Sequence, residues 1–375
     1  MNDRMISILD NYDMTVLRTW KGRGAILCET EKGVRILKEY TGPKDKLCVL
    51  EAVTEKLREA GFLTDCLVRN KEGMLCTEDR DHALYIVKEY REGRECSVSD
   101  LSDCVQAVRS LADIHRLLQI PKQDAIRPWK LIPDGTQMQA NSVVQENPVQ
   151  ESAAETVEKE ELCSEGDTRI YQFRMFMPEQ EYERYNKELK RIWKHLREKS
   201  AKTDFEVFLL RHYAFFMDQA TGVVERMKEA GSTDYCLQQA QKGMLCHGDF
   251  QHHNILFTSG QMMIVNYEKC MQDIQIRDFY LFFRKIMEKN NWNPAVGDQL
   301  LNGYESRRTI DQKEGEQLFL RLSYPEKFRK VVSYYYNSGK SWIPGKNREK
   351  LETLLAQEQA RQSVLRELER TFSHA

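Results

Sequence analysis

No run of apolar residues in this chain approaches the roughly 18 to 20 needed to span a membrane as a helix. Its first residues, MNDRMISILDNYD, lack the long apolar core of a secretion signal. Ten cysteines are present, yet none forms a C-x-x-C pair and no Cys/His cluster has zinc-ligand spacing. Scattered single thiols suit a chain that folds in a reducing compartment. An excess of one charge is missing too: 56 basic residues stand against 58 acidic ones, a formal net charge of -2. Nothing in that balance points to a nucleic-acid partner. A soluble protein made in the cytosol is expected. Length is plentiful, because 375 residues suffice for one large or two medium domains with a substantial core.

The first 88 residues read as a small sheet with one helix. Met14 to Trp20 and Ala25 to Thr30 are β-like runs on either side of Lys21-Gly22-Arg23-Gly24. That turn reads as a plain hairpin connection, or as a loop whose backbone N–H groups lie over phosphates. The next strand, Gly33-Val34-Arg35-Ile36-Leu37-Lys38, ends in a lysine among apolar neighbours. Read alone, such a lysine faces solvent; in a nucleotide-binding lobe it grips phosphates and is held by a helix carboxylate. Leu47 to Ala60 has helical spacing and closes on Gly61, and it offers Glu51 as partner for Lys38 with Glu55 in reserve. Cys66 to Arg69, Met74 to Thr77 and Ala83 to Val87 read as strands. Lys88-Glu89-Tyr90-Arg91-Glu92-Gly93 follows, either an ordinary connection or a hinge whose backbone at Glu89 and Tyr90 meets an adenine.

From residue 89 onward the pattern is helical. Asp103 to Leu118 is amphipathic, and His115 on it reads as a packed residue rather than a ligand. Periodicity vanishes over residues 134–167, where acids accumulate against the single base Lys159. A segment so poor in large apolar residues cannot offset its chain entropy, so a solvated, disordered insert is expected there. Helical spacing resumes from Tyr182 to Leu196 and again from Phe205 to Met227.

The densest stretch is MLCHGDFQHHNILFTSGQMMIVNYE, residues 244–268. His247-Gly248-Asp249 is followed five positions later by Asn254, then by two short strands, Ile255 to Phe257 and Met262 to Val265, around a Ser259-Gly260 turn. This is a set that phosphoryl transfer from a nucleotide requires. An acid accepts the proton of the attacking hydroxyl, an amide oxygen holds magnesium, and a hairpin returns a further metal ligand. His252 and His253 read as exposed loop residues within reach of a substrate. Asp278, opening a helix from Phe279 to Met287, either caps that helix or braces the loop.

Taken together, the chain resembles the aminoglycoside phosphotransferase and choline-kinase branch of the protein-kinase-like superfamily, whose loop reads H-G-D-x-x-x-x-N. Within that branch it is similar to the CotS-type spore coat proteins. GVRILKEY, CHGDFQHHNILF and the tail YPEKFRKVVSYYYNSGKSWIP at residues 324–344 carry the likeness. The resemblance implies a two-lobed α+β kinase-like fold, with a five-stranded type of N-lobe at residues 1–88 and a mainly helical C-lobe at residues 89–375. It implies ATP and Mg2+ as cofactors of an active form. Lys38 would bind phosphates, Glu51 would orient it, Asp249 would be the catalytic base, and His247 and Asp278 would support the loop. Asn254 would be a magnesium ligand, as would Asn266, which stands where relatives carry an aspartate, with Glu268 compensating if the hairpin turns it inward. A neutral amide there implies weakened or lost activity in a coat scaffold. The other implied role is an active phosphotransferase on a small-molecule hydroxyl. The resemblance further implies coat proteins as partners, and assembly onto the spore from the mother-cell cytoplasm.

Overall fold

The computed structural model describes residues 5–120, 171–173, 176–337 and 344–373. The acidic stretch 134–167 and residues 338–343 of the tail motif lie outside the described residues. Strands β1 (Val16–Lys21), β2 (Ile26–Thr30) and β3 (Gly33–Tyr40) form an antiparallel meander. Beside β3 lies β7 (Leu84–Glu89), then β5 (Leu67–Val68), while β6 (Thr77–Glu78) pairs with β7 as a sixth strand. The sheet therefore exceeds the five strands expected. The strand expected at Met74 to Thr77 shrinks because the Asn70 side chain accepts the N–H groups of Glu72 and Met74, closing a turn instead.

The register of β3 against β7 decides where the charged side chains go. Ile36 lies opposite Lys88 and Lys38 opposite Ile86. Since side chains alternate across a strand, these four share one face. The other face carries Leu37, Tyr85 and Val87, which pack with Ile8, Leu9 and Tyr12 around the short 3-10 turn Ser7–Asn11. Both lysines are thus directed toward the body of the chain.

Helix α1 (Lys44–Glu59) begins after Pro43, three residues before the apolar pattern predicts, because an extended proline is a good entry to a helix. It ends at Gly61, whose φ of +90° lets the Phe62 N–H reach the carbonyl of Leu57 at 3.0 Å. A second sheet then joins the two parts of the chain. Its order is β4 (Leu63–Thr64), β10 (Gln261–Ile264), β9 (Ile255–Thr258) and β8 (Arg94–Glu95), with β4 parallel to β10. Two-residue strands carry no periodicity, so the sequence does not announce β4 or β8.

The remainder is helical. Helix α2 (Leu101–His115) is capped by Asp100, which accepts from Ser102 and Asp103. There follow α3 (Pro178–Glu198), α4 (Asp204–Glu229), α5 (Ser232–Gln241), α6 (Ile276–Lys289), α7 (Pro294–Glu305), α8 (Gln312–Ser323), α9 (Glu326–Asn337) and α10 (Pro344–Ser373). One buried apolar cluster runs from Leu50 and Val53 of α1 through Leu111, Phe250 and Phe279 to Leu365 and Leu368 of α10. The two parts of the chain therefore share a core. No described helix is long and apolar enough to cross a membrane.

Helix α10 is seated by close packing at Gly315, where a Cβ would lie 2.1 Å from the Phe372 ring. Gly315→Ala is expected to lower stability by about 1–3 kcal/mol through overpacking. Adding Phe372→Ala should give less than the sum of the two single losses, as read by chemical denaturation.

Candidate functional site

The 244–268 stretch is held in place from beneath. His247 and Gly248 donate their backbone N–H groups to the two oxygens of Asp278, at 2.6 and 2.9 Å. Asp278 is fully buried, in the first turn of α6 rather than ahead of it. Burial would raise its carboxyl, but the hydrogen bond from His115, together with nearby His247 and Arg277, brings it below the ordinary range. Burial keeps His115 neutral, so its Nε2–H donates to Asp278 at 3.3 Å while Nδ1 accepts from the Tyr304 hydroxyl at 2.7 Å. His115, a packing residue in the sequence reading, thus supports the brace under the loop. Gly248 is required where it stands. Its φ is +81°, and a Cβ would fall 2.0 Å from the carbonyl oxygen of Lys269.

Upon this base the loop residues lock together. His247 donates from Nε2 to the Val265 carbonyl at 3.0 Å, and its Nδ1 accepts the Asp249 N–H at 3.2 Å. The Asn254 amide donates to the Asp249 carbonyl at 2.8 Å, and its own oxygen accepts from the Asn266 amide at 2.8 Å. Asp249 keeps its carboxylate at the surface of the loop, 24 % exposed, where Lys269 donates to Oδ2 at 2.9 Å. Asn266 adopts φ 70°, ψ 52°, the left-handed conformation that asparagine tolerates better than most residues.

Behind the loop lies a charged cluster that the sequence reading only half identifies. Lys38 donates to Asn266 Oδ1 at 3.3 Å and to Glu268 Oε1 at 3.2 Å. Lys88 donates to Asn266 Oδ1 at 3.3 Å, to Glu268 Oε1 at 2.7 Å, and to Asp65. Asp65 also accepts the backbone N–H of Asn266 at 2.8 Å. An ammonium has three donors, and all three of Lys88 are matched. Burial would raise the Glu268 carboxyl, but the ammonium groups of Lys88 and then Lys38 outweigh it and hold it at about 2. Burial would lower the Lys88 ammonium, and the Asp65 and Glu268 carboxylates reverse that and push it up.

One sequence expectation is corrected here. The Lys38–Glu51 pair does not form. Glu51 receives the planar fork of Arg69, with Nε at 2.7 Å and the terminal nitrogen at 2.5 Å, a bidentate match an ammonium cannot offer. Glu55, the reserve, lies beside Arg58 at 3.6 Å. At the hinge, the Glu89 N–H donates to the Cys66 carbonyl at 2.9 Å and the Tyr90 N–H to the Val34 carbonyl at 3.2 Å. Both N–H groups are thus engaged within the small sheet.

The structure does bring Lys38, Asp249, Asn254, Asn266 and Glu268 into one hydrogen-bonded cluster. Whether that cluster suits magnesium follows from its oxygens. Magnesium takes about six oxygens at roughly 2.0–2.1 Å. Here Asn266 Oδ1 and Glu268 Oε1 each accept from two lysines, and Asn254 Oδ1 accepts from Asn266. Of the candidate ligand oxygens, Glu268 Oε2 is buried without a hydrogen-bond partner. The set does not fit the ion. For phosphate the fit is better, since Lys38 is 30 % and Lys269 68 % exposed.

These features define a kinase-like protein of two lobes, β-rich and helical, with an HGD loop between them. Among solved structures the chain is similar to an aminoglycoside phosphotransferase from Alicyclobacillus acidocaldarius, with a TM-score of 0.73 and 16% identity over 99% of this chain and 96% of that one. It is also similar to the spectinomycin phosphotransferase APH(9)-Ia, solved with ADP and spectinomycin, with a TM-score of 0.54 and 12% identity over 98% of each chain. At such identities the likeness is one of fold. The sequence model of the family described as "Spore coat putative kinase YutH" matches residues 174–368, and the chain belongs to that family. It further resembles spore coat protein S of Bacillus subtilis, 20% identical over 166 residues, or 44% of this chain. That match spans about half of the relative's length, 47%.

The cluster makes a definite statement about acid. A carboxyl held near 2 against an ordinary 4.5 stabilises the fold fully above about pH 4.5, and that contribution is lost as pH falls through about 2. Glu268→Gln should therefore lose on the order of 3 kcal/mol relative to wild type at neutral pH. The gap should narrow as pH falls below about 4.5 and close only below about pH 2, measured by urea unfolding across pH.

Proposed function

We propose that this protein is a spore coat component whose kinase-like cleft holds a phosphate-bearing ligand of the ATP type and transfers phosphoryl groups weakly or not at all. Membership of a spore coat family supports the setting. On this reading the chain is made in the mother cell, joins other coat proteins, and serves chiefly as a binding scaffold. The observation that carries the weakened chemistry is Asn266. A neutral amide occupies the hairpin position from which a carboxylate would hold the cation that neutralises charge on the transferred group, and its oxygen is already shared by two ammonium groups.

A second reading, an active phosphotransferase on a small-molecule hydroxyl, draws on Asp249. Its backbone is fixed by Asn254 and its carboxylate stays at the cleft surface, placed to take a hydroxyl proton. Lys269 and Lys38 would offset phosphoryl charge there.

ATP turnover with a panel of hydroxyl acceptors separates the two. Wild type is expected to run within about threefold of an Asp249→Asn control. A loss of about 100-fold or more on Asp249→Asn, the scale of a working general base, would establish the second reading instead.

A further inference from the structure

Lys88 is a lysine where the cleft needs a cation. It projects from β7 on the same face as Lys38, is 3 % exposed, and is enclosed by Asp65, Glu268 and the Asn266 amide oxygen. Asp65 is itself 2 % exposed and tied to the backbone of Asn266. Removing the ammonium would leave the buried Asp65 without a cation and Glu268 with Lys38 alone, a costly arrangement unless another cation enters. In formal charge Lys38 and Lys88 match Asp65 and Glu268, with burial pushing the Asp65 carboxyl up and the Lys88 ammonium beside it opposing that. A divalent ion would have to displace two ammonium groups from Glu268 Oε1 and the same two from Asn266 Oδ1.

We infer that the Lys88 ammonium holds the place of a divalent cation in this cleft, which takes the phosphates of a nucleotide without metal. The inference rests on the proposed ATP-type ligand and deepens it. Phosphates meet Lys38, which is free to turn from Glu268 because Lys88 continues to neutralise that carboxylate. Lys269, beside Asp249, and Arg23, on the β1–β2 turn 3.8 Å from Glu95, supply further positive charge.

The test is isothermal titration of the full chain with ATP in EDTA and in excess magnesium, beside a manganese titration without nucleotide. Variants are Lys88→Met and Lys88→Arg. Wild type should bind ATP with affinities that agree within about twofold in the two buffers, and should take up no manganese. Lys88→Met should gain a manganese site, and Lys88→Arg should not. ATP binding strengthened about tenfold or more by magnesium overturns the inference while leaving the proposed function intact. Manganese uptake by wild type at the cleft, abolished by Glu268→Gln, overturns it as well. Absence of ATP binding in both buffers overturns the nucleotide half together with the proposed function, and the manganese arm then decides the cation claim alone. Should Lys88→Met fail to fold, the wild-type titrations with ATP and with manganese decide the matter by themselves.

Discussion

The ammonium of Lys88, buried between Asp65 and Glu268, is the interaction on which the cleft depends. It joins three segments distant in sequence: the turn after β4, the last strand before the hinge, and the hairpin following the HGD loop. Lys88 and Asp65 are nearly inaccessible to water and Glu268 is 14 % exposed, so the buried ammonium is tolerated because every one of its donors is matched. Through Asp65 it also fixes the backbone of Asn266, and through Asn266 it reaches Asn254 and the carbonyl of Asp249. The catalytic-type loop is thereby tied to the small sheet by a polar chain as well as by the shared apolar core.

The site rests on a second support of opposite character. Asp278 anchors the start of the loop from the helical side, held by a neutral His115 and by Tyr304 beyond it. One brace fixes where Asp249 stands and the other fixes what lies across from it. The likeness to phosphotransferase structures is one of fold. The charge of the site, with two ammonium groups on Asn266 and Glu268, supports the weak transfer proposed.

Much of this was legible in the sequence, for identifiable reasons. The HGD loop, Asn254 and the returning hairpin are local in the chain, so their spacing alone places them together. Asn266 stands out because an amide occupies a position where the motif implies an acid. Helices such as α2 and α3 showed their 3.6-residue period. Lys88 and Asp65 were not legible as a pair, because 23 residues separate them and only the register of β7 against β3 turns Lys88 inward. In the sequence Lys88 opens a segment that reads as either a hinge or an ordinary connection, so nothing marks it as part of the site. Glu51 was matched to the wrong cation because helical spacing says which face a carboxylate lies on, not which of two cations reaches it first. Arg69 prevails through its fork.

The most direct measurement is a crystal structure of the protein with ATP and manganese, with anomalous scattering collected at the manganese edge. Nucleotide phosphates are expected against Lys38, with the Lys88 ammonium still between Asp65 and Glu268 and no anomalous peak at Asn254, Asn266 or Glu268. A manganese peak coordinated by Glu268, with Lys88 displaced from it, would contradict a cleft that works without metal.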